Sequence, residues 1–173
     1  MPHRTTARQL VLGTGLSAAL LAAGCTAPDP KAELEIAEAE TYWAIESSVG
    51  STHYIAPVVR LLVRAKGREP LRSVQATAVF RQKGDENQTW GTAWFQVASH
   101  NKPISPQGAT LVLLQSDGRY HSADSIEQML QHAQFKDATA EVFFRVGSSG
   151  WVSFLKTDVE RRIGSRTVAP DAR

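Results

Sequence analysis

Apolar and polar residues alternate along several short segments of this chain, and that two-residue period is the feature that most limits its fold. The clearest segment runs from residue 58 to residue 65, with one apolar set of alternate positions and one largely basic set: Val59, Leu61 and Val63 against Arg60, Leu62 and Arg64. Successive side chains of a strand point to opposite faces of a sheet. The alternation therefore predicts a half-buried strand rather than a helix.

The same reasoning predicts further strands, separated by polar or glycine-containing turns. We expect them over residues 71–82, 89–99, 109–115, 140–146 and 151–159. In the first of these, Val74, Ala76, Ala78 and Phe80 form the apolar set of alternate positions. Gly147-Ser148-Ser149-Gly150 is predicted to be the hairpin turn between the last two. Upstream, residues 31–40 are rich in Ala and Glu, which favours a helix, whereas Thr41-Tyr42-Trp43 favours a strand.

One helix is predicted in the later half of the chain. Asp124 is placed as its N-cap, with Glu127 three residues on as the second member of a capping-box-like pair. Its apolar face has helical spacing and consists of Ile126, Met129, Leu130 and Ala133. Six or seven short strands with one helix between the late strands predict a mainly β chain that forms an antiparallel β-sandwich.

Residues 58–84 resemble the immunoglobulin-like extracellular domains of the FxLYD type. The matching features are an apolar strand at 58–65, a turn ending in Glu69-Pro70-Leu71, and a second strand ending in Phe80 with Gly84 beyond it. The turn carries Lys66 where that family usually has Asn. The resemblance implies that the antiparallel β-sandwich is immunoglobulin-like, and it supports the fold more than the function.

The N-terminal residues predict a secretory signal. Arg4 and Arg8 precede an apolar stretch from Leu10 to Ala23, and no acid occurs among the first 24 residues. A bilayer-spanning helix needs about 20 apolar residues. The shorter stretch is typical of the apolar region of a signal peptide.

The only cysteine of the chain, Cys25, directly follows this stretch, after Leu20-Leu21-Ala22-Ala23-Gly24. The segment resembles the lipobox of bacterial lipoproteins, with Ala22 where Leu is commoner. The resemblance implies a diacylglyceryl thioether on Cys25, cleavage before it, and attachment to the membrane through the lipid. Since Thr26 and not Asp follows, it also implies the periplasmic face of the outer membrane, if the cell has one. The other interpretation is an ordinary secretory signal with a chance cysteine.

These observations divide the chain into four parts. We expect a signal peptide over 1–24, a lipid-anchored tether over 25–31, a β-sandwich domain over 32–164 and a flexible tail over 165–173. Removing the signal takes away two arginines and no acid, so the formal charge of +2 becomes zero. A neutral, exported protein is not expected to bind nucleic acid.

Catalytic and metal-binding patterns are not found in the sequence. The histidines that remain after cleavage lack the paired spacing of metal ligands: His53, His100, His121 and His132. Ser148 lies in a predicted turn without the surroundings of an activated nucleophile. We therefore expect no enzyme activity, no cofactor and no metal site.

The strand over residues 89–99 offers a candidate binding surface. One set of alternate residues suits the core (Gly91, Ala93, Phe95 and Val97), and the other mixes aromatic and polar side chains (Trp90, Thr92, Trp94 and Gln96). Trp90 and Trp94, with Gln96, would form an aromatic platform for a sugar or a peptide. Large aromatic side chains are rarely left exposed to solvent. The other interpretation is therefore that a loop, the helix or the N-terminal segment covers the two tryptophans. Trp43 and Trp151 are expected in the core or at its rim.

Charge is unevenly distributed between the ends of the domain. Residues 33–46 are acidic, while the C-terminal end carries Arg161, Arg162, Arg166 and Arg173. We expect these segments to pair within the domain; the alternative is that they meet a partner.

Taken together, the sequence predicts a lipid-anchored cell-envelope protein. It would act as a non-catalytic binding or scaffolding module with a protein partner, as an accessory subunit of a membrane or envelope complex. The alternative is a small carbohydrate- or peptide-binding protein, or a hydrolase, that uses an exposed Trp platform.

Overall fold

A computed structural model describes residues 27–164, which form two packed antiparallel sheets and two short helices. The helices are α1 (Pro30–Glu33) and α2 (Ile126–Gln131). The strands are β1 (Leu34–Val49), β2 (Thr52–Ala65), β3 (Val74–Gln82), β4 (Thr89–Ala98), β5 (Ala109–Gln115), β6 (Tyr120–Ser122), β7 (Ala138–Val146) and β8 (Val152–Asp158). Cys25, the signal segment 1–24 and the tail 165–173 lie outside the described residues.

The order of the strands confirms the antiparallel β-sandwich. One sheet has the order β1-β2-β5, with β6 also paired to β2, and the other has the order β4-β3-β7-β8. In the lettering of immunoglobulin-like sandwiches, these correspond to A-B-E and to C-F-G with an added edge strand beside C. Between residues 27 and 164, no helix combines the length and apolar character needed to cross a membrane.

The core lies between the sheets and is built from the alternate residues that the sequence predicts. Val59, Leu61 and Val63 of β2 are fully buried, and so are the inward residues of β3: Val74, Ala76, Ala78 and Phe80. Each large apolar side chain buried in this way contributes roughly 1.5–3 kcal/mol relative to its exposed state. Trp43 is fully buried in the same core, as expected.

A helix over residues 31–40 is not formed. Only α1 is helical there; the Asp29 side chain caps it by accepting a hydrogen bond from the Lys31 amide at 3.0 Å, and β1 begins at Leu34. β1 pairs with β2 along its whole length. This long ladder of backbone hydrogen bonds outweighs the weak local preference of Ala and Glu for a helix.

The helix α2 begins one residue later than predicted. Its N-cap is Ser125, not Asp124, and the partner in the capping box is Gln128, not Glu127. The Ser125 hydroxyl accepts from the Gln128 amide at 3.3 Å, while the Gln128 side chain accepts from the Ser125 amide at the same distance. Met129 is fully buried, whereas Ala133 lies beyond the helix and is exposed.

The C-terminal segment after β8 crosses to the outer edge of β1. The Trp43 amide donates to the Arg162 carbonyl at 2.8 Å, and the Gly164 amide donates to the Trp43 carbonyl at 3.0 Å. These backbone contacts join the two sheets on this side of the sandwich.

Ion pairs between the acidic segment and the C-terminal arginines are not formed among the described residues, so that prediction is wrong for Arg161 and Arg162. Arg161 pairs with Asp137 and Arg162 with Glu160. The acids of β1 pair with arginines of neighbouring strands and turns instead: Glu35 with Arg64, Glu40 with Arg60, and Glu46 with Arg119. The register of β1 with β2 places Glu35 opposite Arg64 and Glu40 opposite Arg60. Arg166 and Arg173 lie outside the described residues.

Candidate binding surface

Trp94 is the large aromatic side chain that the second sheet leaves most exposed. It lies on β4, the edge strand of that sheet, with 59% of its surface accessible. Gln96, two residues on, points to the same outer face and is also exposed. These two of the three predicted surface residues lie where the sequence places them.

Trp90 does not join them, and the prediction that it shares their face is wrong. The pairing of β4 with β3 skips Trp90, because Gly91 pairs with Phe80 and Thr89 pairs with the next residue, Arg81. An extra residue in a strand is a β-bulge, which re-aims side chains. Trp90 is half-buried, and its ring centroid lies 5.7 Å from that of Trp43 in the core.

A second bulge near the end of β4 alters the predicted inner face as well. The ladder skips Val97, since Val74 pairs with Ala98 and Gln75 with Gln96. Val97 and Ala98 are both buried as a result. Phe95, expected in the core, is 37% exposed at the edge of the sheet.

The neighbouring strands bring new residues to the face of Trp94. Thr77 of β3 pairs with Trp94 on one side and with Phe143 of β7 on the other. Gln75 likewise pairs with Gln96 and with Arg145. We call this outer surface the Trp94 face; its members are Trp94, Gln96, Thr77, Gln75, Phe143, Arg145 and Trp151.

The sequence contains one signal for the missed residues. Between positions 139 and 145, the buried alternate residues leave Phe143 as an aromatic side chain at an outward position. That pattern identifies an outward-facing Phe, which is half-buried in the structure. Which residues surround it depends on how β7, β3 and β4 pair.

A directed chain of side-chain hydrogen bonds runs across the Trp94 face. The Gln96 amide nitrogen donates to the carbonyl oxygens of Val74 and Ala98, at 3.0 and 2.6 Å. The Gln75 Nε2 donates to the Gln96 Oε1 at 3.3 Å, and Arg145 Nη2 donates to the Gln75 Oε1. Each amide is therefore oriented by the next, and the chain of donors begins at Arg145.

Arg145 is held from a second direction by Trp151. The guanidinium carbon lies 5.0 Å from the centroid of the Trp151 ring, within the range of a cation–π contact. Trp151 is 40% exposed. The stacked pair thus lies at the surface of the sandwich rather than in its core.

Charges elsewhere on this sheet are neutralised locally. Arg81 pairs with Glu141 at 3.3 Å, and Lys83 pairs with Asp158 at 2.7 Å. The hydrogen bond from Lys83 to Asp158, together with the negative charge of that carboxylate, raises the pKa of Lys83. Arg145 has no acidic partner among residues 27–164.

Other candidate sites in the described chain are less developed. A cavity of about 200 Å³ lies beside the bulge at Trp90, and its other lining residues are Gln82, Asp85, Gln88 and Thr89. His121 stacks on Tyr54 and His53 contacts the Ser48 hydroxyl. Residues 27–164 hold no group of three or more His, Cys, Asp or Glu side chains arranged around a metal ion.

Comparison with known proteins gives only remote similarity. No protein-family model matches the chain, and no curated protein matches it. Among solved structures, a putative β-galactosidase from Bacteroides fragilis is similar at a TM-score of 0.41 and 13% identity, over 68% of this chain and 15% of that chain. A protein from Archaeoglobus fulgidus is similar at a TM-score of 0.37 and 10% identity, over 72% of this chain and 95% of that one.

Proposed function

We propose that this chain is a lipid-anchored cell-envelope protein whose β-sandwich is a non-catalytic binding module for a protein partner. The observation that carries the proposal is the Trp94 face, where an exposed Trp is flanked by a Phe and an oriented Arg. Trp and Arg are enriched among the residues that dominate protein–protein binding energy. Apolar area with a few oriented polar groups is the composition that such interfaces use.

The rigidity of this surface supports the same proposal. All of its side chains except Trp151 belong to paired strands, and the amides of Gln75 and Gln96 are oriented by hydrogen bonds. A preformed surface loses little side-chain freedom on binding, which favours affinity.

Site-specific photocrosslinking in intact cells tests the binding surface. A photoreactive amino acid at position 94 is expected to give one dominant protein adduct. The same group at Val49, which is 68% exposed in the β1–β2 hairpin, serves as the matched control and is expected to give none. Equal crosslinking from both positions, or none from position 94, would contradict the proposal.

The anchor is tested separately by metabolic labelling with a radioactive fatty acid. We expect label on the wild-type protein and no label on the Cys25→Ser variant, because only a thiol forms the thioether. A labelled Cys25→Ser protein, or an unlabelled wild type, would remove the anchor from the proposal and leave the binding surface untouched.

Carbohydrate binding is the second candidate, and the neighbouring positions of Trp94 and Gln96 on one face favour it. An aromatic ring beside an amide suits stacking and hydrogen bonding to a sugar. A glycan array probed with wild type and with Trp94→Ala distinguishes the two candidates. Glycan signals that disappear in the variant, without a protein adduct at position 94, would favour the sugar.

A further inference from the structure

Arg145 is an oriented guanidinium whose charge no acid of the described chain balances. Gln75 accepts from one end of the group, and the Trp151 ring covers one of its faces. Most surface arginines sample several rotamers and lose that conformational entropy when they bind a partner. Here two independent contacts already hold the side chain.

The geometry leaves most of the hydrogen-bonding capacity of Arg145 unused. A guanidinium carries five N–H donors in one plane. The bond to Gln75 occupies one nitrogen, and stacking on Trp151 uses the face of the group and none of its donors. The remaining donors can bind a carboxylate through two parallel hydrogen bonds, the arrangement for which Arg is favoured over Lys.

The surroundings indicate the kind of anion. Phe143 lies two residues before Arg145 on the same face of β7. Trp94 of β4 lies on that face too, with Thr77 of β3 between it and Phe143. Arg81, which lies six residues beyond Gln75 on the same face of β3, is already paired with Glu141. A single unbalanced positive charge beside aromatic rings matches a carboxylate with one negative charge next to an apolar group, and it matches a phosphate with nearly two charges less well.

We propose that Arg145 is the receptor for an Asp or Glu side chain in an extended segment of the protein partner, with a neighbouring apolar side chain of that segment packed on Phe143 and Trp94. This inference rests on the proposed function and names the chemistry of its partner. Gln75 is a positioning residue, since it acts on the ligand only through Arg145.

Selection from a random peptide library displayed on phage tests the inference on the full-length protein in detergent. We expect the selected peptides to contain an acidic residue adjacent to an apolar one. Replacing that acid with its amide is expected to weaken binding about tenfold or more, because a hydrogen-bonded charge contributes roughly 1.5–3 kcal/mol.

Variants of the protein then assign the effect to Arg145. Arg145→Gln is expected to lose about tenfold in affinity for the acidic peptide and to bind the amide version like the wild type. Arg145→Lys is expected to fall between them, because it keeps the charge without the planar fork. Arg72→Gln is the matched control, an exposed arginine without an acidic partner among residues 27–164. An unchanged urea midpoint in each variant shows that the fold is intact.

The failures are distinguishable. Peptides that depend on Trp94 but carry no acid, or that bind Arg145→Gln as tightly as wild type, would overturn the role of Arg145 and leave the proposed function standing. A selection that yields no Trp94-dependent peptide would overturn both. Arg145-dependent binding to vesicles of anionic phosphatidylglycerol, with no discrimination between acidic and amide peptides, would replace the protein partner with a membrane surface.

Discussion

Gly91 and Gly118 face each other where β4 meets the turn after β5, and neither position has room for a side chain. A Cβ on Gly91 would lie 2.5 Å from the Gly118 amide nitrogen, and one on Gly118 would lie 2.5 Å from the Trp90 carbonyl oxygen. Beside them, the Thr92 amide donates to the Asp117 carboxylate at 2.6 Å, and the Asp117 amide donates back to the Thr92 carbonyl at 3.1 Å. This contact joins the two sheets beside the Trp94 face.

Gly91→Ala is therefore expected to destabilise the protein by about 1–3 kcal/mol, because the added methyl group overlaps atoms that can move only with the backbone. The measurement is the free energy of unfolding in urea. Gly150→Ala is the control, since a Cβ there meets nothing within 4 Å, and we expect a change within about 0.5 kcal/mol. Equal effects of the two substitutions would contradict the close approach at Gly91.

The different positions of the two tryptophans of β4 predict opposite mutational effects. Trp90→Ala is expected to cost roughly 2–3 kcal/mol, less than a fully buried Trp, because it removes the half-buried ring that packs on Trp43. Trp94→Ala is expected to change stability by about 0.5 kcal/mol or less while it abolishes partner binding. Urea unfolding of both variants checks the first effect, and photocrosslinking from a second position on the face checks the other. A larger loss of stability in Trp94→Ala than in Trp90→Ala would contradict the inward orientation of the Trp90 side chain.

The position of the α2 cap is testable with neighbouring alanine substitutions. Ser125→Ala is expected to destabilise by about 1 kcal/mol, because the Gln128 amide loses its acceptor. Asp124→Ala is expected to cost less, since its carboxylate accepts only a solvent-exposed hydrogen bond from the Ser122 hydroxyl, at 2.8 Å. Thermal unfolding of the pair decides between them, and the reverse ranking would restore Asp124 as the cap.

Alkaline pH is expected to reveal the burial of Tyr42. Burial raises the pKa of its hydroxyl, an effect that the Arg60 guanidinium partly offsets. The unfolded chain loses this proton near pH 10, while the folded chain still holds it. Because the folded state then binds more protons than the unfolded state, stability falls as the pH rises above about 10. Urea unfolding at several alkaline pH values is expected to show a shallower fall for Tyr42→Phe than for wild type; parallel curves would argue against the raised pKa.

Local patterns in the sequence were enough to locate most strands. β5 begins and ends at the predicted residues, and the inward residues of β2 and β3 are the predicted ones. The reason is that a period of two residues makes burial a property of each strand by itself. Residues 31–40 show where this fails, because their composition favours a helix and only pairing with β2 makes most of them a strand.

Local patterns are enough to predict the class of fold, the alternation that builds the core, and a lipid at Cys25. They do not predict which residues make up the Trp94 face. Bulges at Trp90 and Val97 follow from the pairing of β4 with β3. Phe143 and Arg145 follow Trp94 in the sequence by 49 and 51 positions, and only the register of three strands brings them to its face. Register is a relation between distant segments, so no local pattern encodes that Arg145 meets Gln75 and Trp151 beside Trp94.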